Sequence, residues 1–171
     1  MQTNEQDGTD HVAQSRAFLT STLPVSHLVT AQKRFNALMG TSSNVTISDV
    51  SIDVCRLKLS IRTRQFSGID ASNFSESRYD VDLKDIELPI RVASKQGDAS
   101  HEHFELLVKL KNPTTVLTTN DFFGVQHGSV QESEFSIVVK DQPTGDQLGE
   151  ALAVVVAACK TGVGESAAPT A

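Results

Sequence analysis

The sequence predicts an α+β domain: an antiparallel sheet of six to seven strands forming a partly open barrel, with two N-terminal helices and a C-terminal capping helix. Three observations carry this expectation. Apolar residues recur at helical spacing over 10–40, alternate with polar ones over 44–140, and return to helical spacing over 144–160. The alternating runs are joined by short polar stretches without intervening helices, which implies antiparallel neighbours rather than crossovers. The two ends, 1–9 and 161–171, are small and polar with almost nothing to bury, so they read as disordered tails around a single domain, 10–160.

The first helix starts from a cap at Asp10 and carries Val12, Ala13, Ala17, Phe18 and Leu19. Pro24 ends it, because the residue before a proline is pushed out of the α region. A second helix is expected from Ser26, with Leu28, Val29, Ala31, Phe35, Leu38 and Met39 on one face and Lys33, Arg34 and Asn36 on the other. Gly40 would close it in a left-handed cap.

From Asn44 the period becomes two. Val50, Ile52 and Val54 alternate with polar residues, then the phase slips by one and Cys55, Leu57, Leu59 and Ile61 take over. A slip of this kind is either a tight turn or a bulge in one long strand, and the pattern fits both. A loop over 65–77 precedes Tyr79, Val81 and Leu83. A second slip after Lys84-Asp85 leads into Ile86, Leu88, Ile90 and Val92, where Pro89 marks an edge. A polar loop over 94–102 leads to Phe104, Leu106, Val108 and Leu110. Asn112-Pro113 reads as a turn, Thr115–Thr119 as a short β-branched strand and 120–133 as a loop before Phe135, Ile137 and Val139. In the last helix Thr144 and Gln147 fit a capping box, Leu148, Leu152, Val155 and Cys159 form the core stripe, and Lys160 and Gly162 end it.

Net charge is −6, with a pI near 5.3. That excludes the basic footprint of a general nucleic-acid binder and a polybasic membrane-surface anchor. Ala151–Cys159 is the longest apolar run, well short of the roughly 18 residues of a membrane span. No secretory signal is visible, so a soluble, cytoplasmic chain is expected. Cys55 and Cys159 make neither a disulfide framework nor a zinc spacing; both lie on apolar phases and read as buried thiols.

Residues 44–160 resemble the pleckstrin-homology-like superfold in element order: short antiparallel strands followed by one capped amphipathic helix, 144–160. The resemblance implies two nearly orthogonal sheets forming a barrel that the helix plugs. That plan brings Cys55 and Cys159 toward each other, and a bridge forms if their Cα atoms come within about 7 Å. The chain departs from the family in having no tryptophan in that helix and in the extra helical pattern at 10–40. Lys58, Arg62 and Arg64 resemble the Lys…Arg-x-Arg pattern with which members of that family hold phosphoinositides.

Those three residues, with Arg56, share one phase of a strand and so one face, suited to bidentate contacts with an anionic ligand. The competing reading is a solvated face in which Asp80 and Asp82 sit opposite Arg62 and Arg64 and neutralise them. Phe66, Phe74, Phe122 and Phe123 fall in loops and are the candidate contacts for a protein partner; folding back onto the core is the alternative. His101 and His103 would share one side of a strand, but no third ligand lies near in sequence, so no metal is expected. No nucleophile elbow, Walker loop, dinucleotide fingerprint or zinc-protease motif is present. The expectation is a non-enzymatic binding module of pleckstrin-like type without cofactor, meeting a protein partner or an anion. A small-molecule-binding cavity protein, or an enzyme whose residues form no motif, is the alternative.

Overall fold

The structure, a computed structural model, describes residues 3–31, 41–67, 71–96, 102–121 and 124–162. Helix α1 (Thr3–Thr22) is followed by seven strands: β1 (Val25–Ala31), β2 (Thr41–Asp53), β3 (Arg56–Ser67), β4 (Ala71–Asp82), β5 (Arg91–Gln96), β6 (Glu102–Asn120) and β7 (Gln126–Val139). Helix α2 (Gln142–Thr161) comes last, and a single 3₁₀ turn, Leu83–Asp85, lies between β4 and β5. Among the described residues all pairings are antiparallel. The strands run β1-β2-β3-β4-β6-β5, with β7 on the other edge of β6, and the sheet curves into a half-barrel.

Among the described residues one N-terminal helix forms, not two. α1 begins at Thr3, ahead of the expected cap at Asp10, and takes in most of the segment read as a tail. Val12, Ser15 and Leu19 are its buried stripe and Pro24 ends it; Ala13 and Ala17 are exposed. The expected second helix is replaced from Val25 by β1, which pairs with β2 from Val25↔Ile47 to Ala31↔Thr41. Val25, Val29 and Thr30 are β-branched and suit a pleated surface, and a partner strand outweighs the weak helical spacing. Phe35, Leu38, Met39 and Gly40 lie outside the described residues.

The first phase slip is a turn: β2 ends at Asp53, Val54 and Cys55 form the bend, and β3 starts at Arg56. The second is the 3₁₀ turn, after which Ile86 bridges to Leu110. Among the described residues β5 (Arg91–Gln96) ends the strand order, while Pro89, expected inside an edge strand, precedes it outside any strand. Three expected breaks are strand instead. Much of 65–77 belongs to β3 and β4. Asn112-Pro113 lies inside β6, where the register shifts between Lys109 and Thr114 rather than turning. The expected loop 120–133 is mostly β7.

The core lies between the concave face of the sheet and α2. Leu57, Leu59, Leu106, Val108 and Ile137 meet Leu148, Leu152 and Val155, none of them more than 2% exposed. The cap of α2 is Asp141, whose carboxylate accepts from the Thr144 backbone N–H at 2.8 Å, so Thr144 is capped rather than capping. Gly162 ends the helix at φ 77, in the left-handed region that favours glycine. At Gly145 α2 approaches the sheet so closely that a Cβ would stand 3.0 Å from methyls of Val139 and Val92. The cysteines are not free thiols: Cys55 and Cys159 form a disulfide, with Cα atoms 5.8 Å apart, both buried. It fastens the β2–β3 turn to the last turn of α2.

Candidate functional site

Strict alternation in β3 sends Leu57, Leu59 and Ile61 to the core and Arg56, Lys58, Arg62 and Arg64 to the convex face, so the basic stripe lies where its spacing put it. Its partners differ from those expected. β3 and β4 run on to Ser67 and Ala71, and this longer hairpin sets Arg62 opposite Glu76, Arg64 opposite Phe74, Lys58 opposite Asp80 and Arg56 opposite Asp82. Asp80 and Asp82 therefore face the other end of the stripe from Arg62 and Arg64.

Glu76 is the electrostatic centre of this face. Arg62 donates to its Oε2 at 2.7 Å through Nη2 and at 3.2 Å through Nε, while Arg78 Nε donates to Oε1 at 3.0 Å. The hydrogen bond from Arg62, then that from Arg78, holds the Glu76 carboxyl below its ordinary range despite burial. The Arg62 guanidinium also stands 5.0 Å from the centre of the Phe74 ring. At the far end Arg56 Nε donates to Asp80 at 2.8 Å, which raises the guanidinium pKa further. Three arginines of this face are thus committed to carboxylates. Lys58 and Arg64 form no ion pair with a described residue.

The sheet splits beside this face. β4 pairs with β6 only from Ser75 to Arg78, and beyond that the two strands part. Thr114 Oγ1 bridges the gap to the Asp80 carbonyl at 3.2 Å. The result is a cleft of about 700 Å³ carrying Lys58, Arg56, Arg78, Asp49, Asp80 and the exposed Leu117. Tyr79 closes its floor. Its ring stacks on Phe135 with centroids 4.5 Å apart and its hydroxyl donates to Glu132 at 3.2 Å. Burial first, then the Glu132 charge, pushes the Tyr79 pKa up to about 12. A second groove, about 610 Å³, runs between α1 and α2 past Phe18, Ala151 and Val154.

Of the four candidate aromatic contacts, Phe74 is a strand residue, half-buried beneath Arg62 rather than in a loop. Phe122 and Phe123 lie outside the described residues, as do the side chains of Phe66, His101 and His103. Glu76 and Leu117 were not singled out from the sequence. Glu76 fell in a stretch read as loop, and alternation through Ser75, Ser77 and Tyr79 is the signal that could have placed it. No family model, no curated protein and no solved structure matches this chain.

Proposed function

We propose that the chain is a non-catalytic binding module that meets a protein partner through the convex cleft between β4 and β6. The observation that carries this reading is the filled concave side. A cavity protein or an enzyme of this class would keep that space for its ligand, whereas here Leu148, Leu152 and Val155 of α2 occupy it at 2% exposure or less. A half-barrel of antiparallel strands filled by a capped C-terminal helix is also what supports the pleckstrin-like reading. The cleft interleaves cations and carboxylates around Leu117, a mixed surface suited to a polar protein segment with an apolar anchor. An anionic ligand at Lys58, Arg62 and Arg64 is the second reading. It is weakened because Arg62 is already bound to Glu76.

Among the described residues no helix is long and apolar enough to cross a membrane. The buried Cys55–Cys159 bond fits an oxidising compartment better than the cytoplasm expected from the sequence. Affinity capture from the source cells, comparing wild type with a Lys58→Glu/Leu117→Asp variant, tests the partner surface. A partner kept by wild type and lost by the variant is the expected result; partners retained equally by both would refute it. Binding to anionic vesicles at low salt, abolished by Arg62→Glu/Arg64→Glu, would replace it with the anion reading.

A further inference from the structure

β7 has a free edge. Among the described residues it pairs with β6 alone, while β4 and β5 occupy the other side of β6. From Gln126 to Gln131 every residue of β7 is exposed, so this half of the strand projects beyond the body on both faces. Its side chains are tied back toward β6: His127 Nδ1 lies 3.1 Å from Thr119 Oγ1, and Gln131 Nε2 donates to Thr115 Oγ1 at 2.6 Å. The outward row of backbone N–H and C=O groups is left without a partner among the described residues. Natural edge strands are guarded by lysines, prolines or inward charges. Gln126–Gln131 (QHGSVQ) has no lysine, arginine, carboxylate or proline, and it exposes Val130 at 45%.

We propose that this edge pairs with the same edge of a second copy, as an antiparallel two-fold dimer with a sheet continuous across both chains. Geometry restricts the register. A two-fold axis normal to an antiparallel pair passes through one residue facing its own copy, because facing residues must share a side of the sheet. With Val130 on the axis the exposed valines meet each other. Gly128 then faces Glu132 and Ser129 faces Gln131, so no carboxylate meets another over the regular stretch Gln126–Glu132. An axis at Glu132 would set glutamates against each other, and an axis at Ser129 or Gln131 would leave Val130 against Gly128 or Glu132. Of the carboxylates next to the edge, Glu132 accepts a hydrogen bond from Tyr79, and Glu134 is in register with Lys109 of β6. A neutral, self-complementary edge favours a second copy over a charged peptide.

This surface is separate from the convex cleft, and so is its test. Sedimentation equilibrium of the full chain should show reversible dimers. Val130→Lys, which places two ammonium groups face to face on the axis, should weaken the dimer by about tenfold or more. Leu88→Lys, an exposed apolar site elsewhere, should leave it unchanged. Oxidised Val130→Cys should form a cross-linked dimer, and Gln126→Cys should not. A wild type that stays monomeric at high micromolar concentration, a dimer indifferent to Val130→Lys, or assemblies that grow beyond two copies would each overturn the proposal. Thermal unfolding of Val130→Lys confirms that the monomer being measured is folded.

Discussion

The β6–β7 hairpin contains two regions built by the same pairing under opposite conditions. In its inner half, Phe104, Leu106 and Val108 face Val139, Ile137 and Phe135 across the ladder, and all six point toward α2. In its outer half, Thr114–Asn120 pairs with Gln126–Glu132, and most of that stretch of β7 is exposed on both faces. The inner half is held by burial and alternates as a half-buried strand must. The outer half is held by backbone pairing and by polar cross-strand contacts such as Gln131 to Thr115, with no need for alternation. Strand formation therefore does not require an apolar face when a neighbour supplies the ladder.

The largest test of this contrast is truncation beneath and beyond the helix. Leu152→Ala, or Ile137→Ala in the inner half, should cost about 2–5 kcal/mol in denaturant unfolding, because each leaves a cavity in a closed core. Val125→Ala, 61% exposed beside the outer half, should stay within about 0.5 kcal/mol. Similar losses at both places would erase the distinction.

The disulfide sharpens it next. Replacing Cys55 and Cys159 with serine should cost about 2–4 kcal/mol, since the bond closes a loop of 104 positions and its removal also places hydroxyls in the core. Hydrogen exchange should then rise at the last turn of α2 and at the β2–β3 turn while the outer half of β7 stays as it was. Native labelling by thiol reagents should be negligible before reduction.

Tyr79 joins the two halves, stacked on Phe135 of the inner half and hydrogen-bonded to Glu132 of the outer. Its folded pKa of about 12 stands above the ordinary 10. The protonated form is thus preferred in the folded state, so this contribution is complete below pH 10 and is lost as pH rises toward 12. Tyr79 is the chain's single tyrosine, so ultraviolet titration reads it directly. Tyr79→Phe should cost about 1 kcal/mol at neutral pH and flatten the alkaline fall in stability. A titration midpoint at the ordinary value would contradict the burial described here.

The smallest expected effect lies on the convex face. Glu76 has its pKa lowered by Arg62 and Arg78. Its stabilisation is present above its ordinary value of 4.5 and is lost as pH falls through the lower folded value. Glu76→Gln should cost on the order of 1 kcal/mol at pH 7, with half-exposed arginines limiting the figure. The difference between wild type and variant should vanish in acid; a difference independent of pH would mean that Glu76 acts through packing.

Periodicity alone sufficed to place Leu57, Leu59, Leu106, Val108, Leu148, Leu152 and Val155 in the core, the arginines of β3 on one outward face, and the end of α2 at Gly162. These are local properties: which side of a strand or helix a residue occupies follows from its spacing. Other features depended on residues distant in the chain. β1 formed where the spacing suggested a helix because β2 offered it a partner. Asn112-Pro113 did not turn because β7 continued alongside. Arg62 met Glu76 rather than Asp80 or Asp82 because register is set by the length of the whole hairpin. Cys55 and Cys159 each signalled burial in sequence, but only packing α2 onto the β2–β3 turn brought their Cα atoms within 5.8 Å. Alternation encodes a face; pairing, register and contact are agreements between distant segments, and only the folded chain contains them.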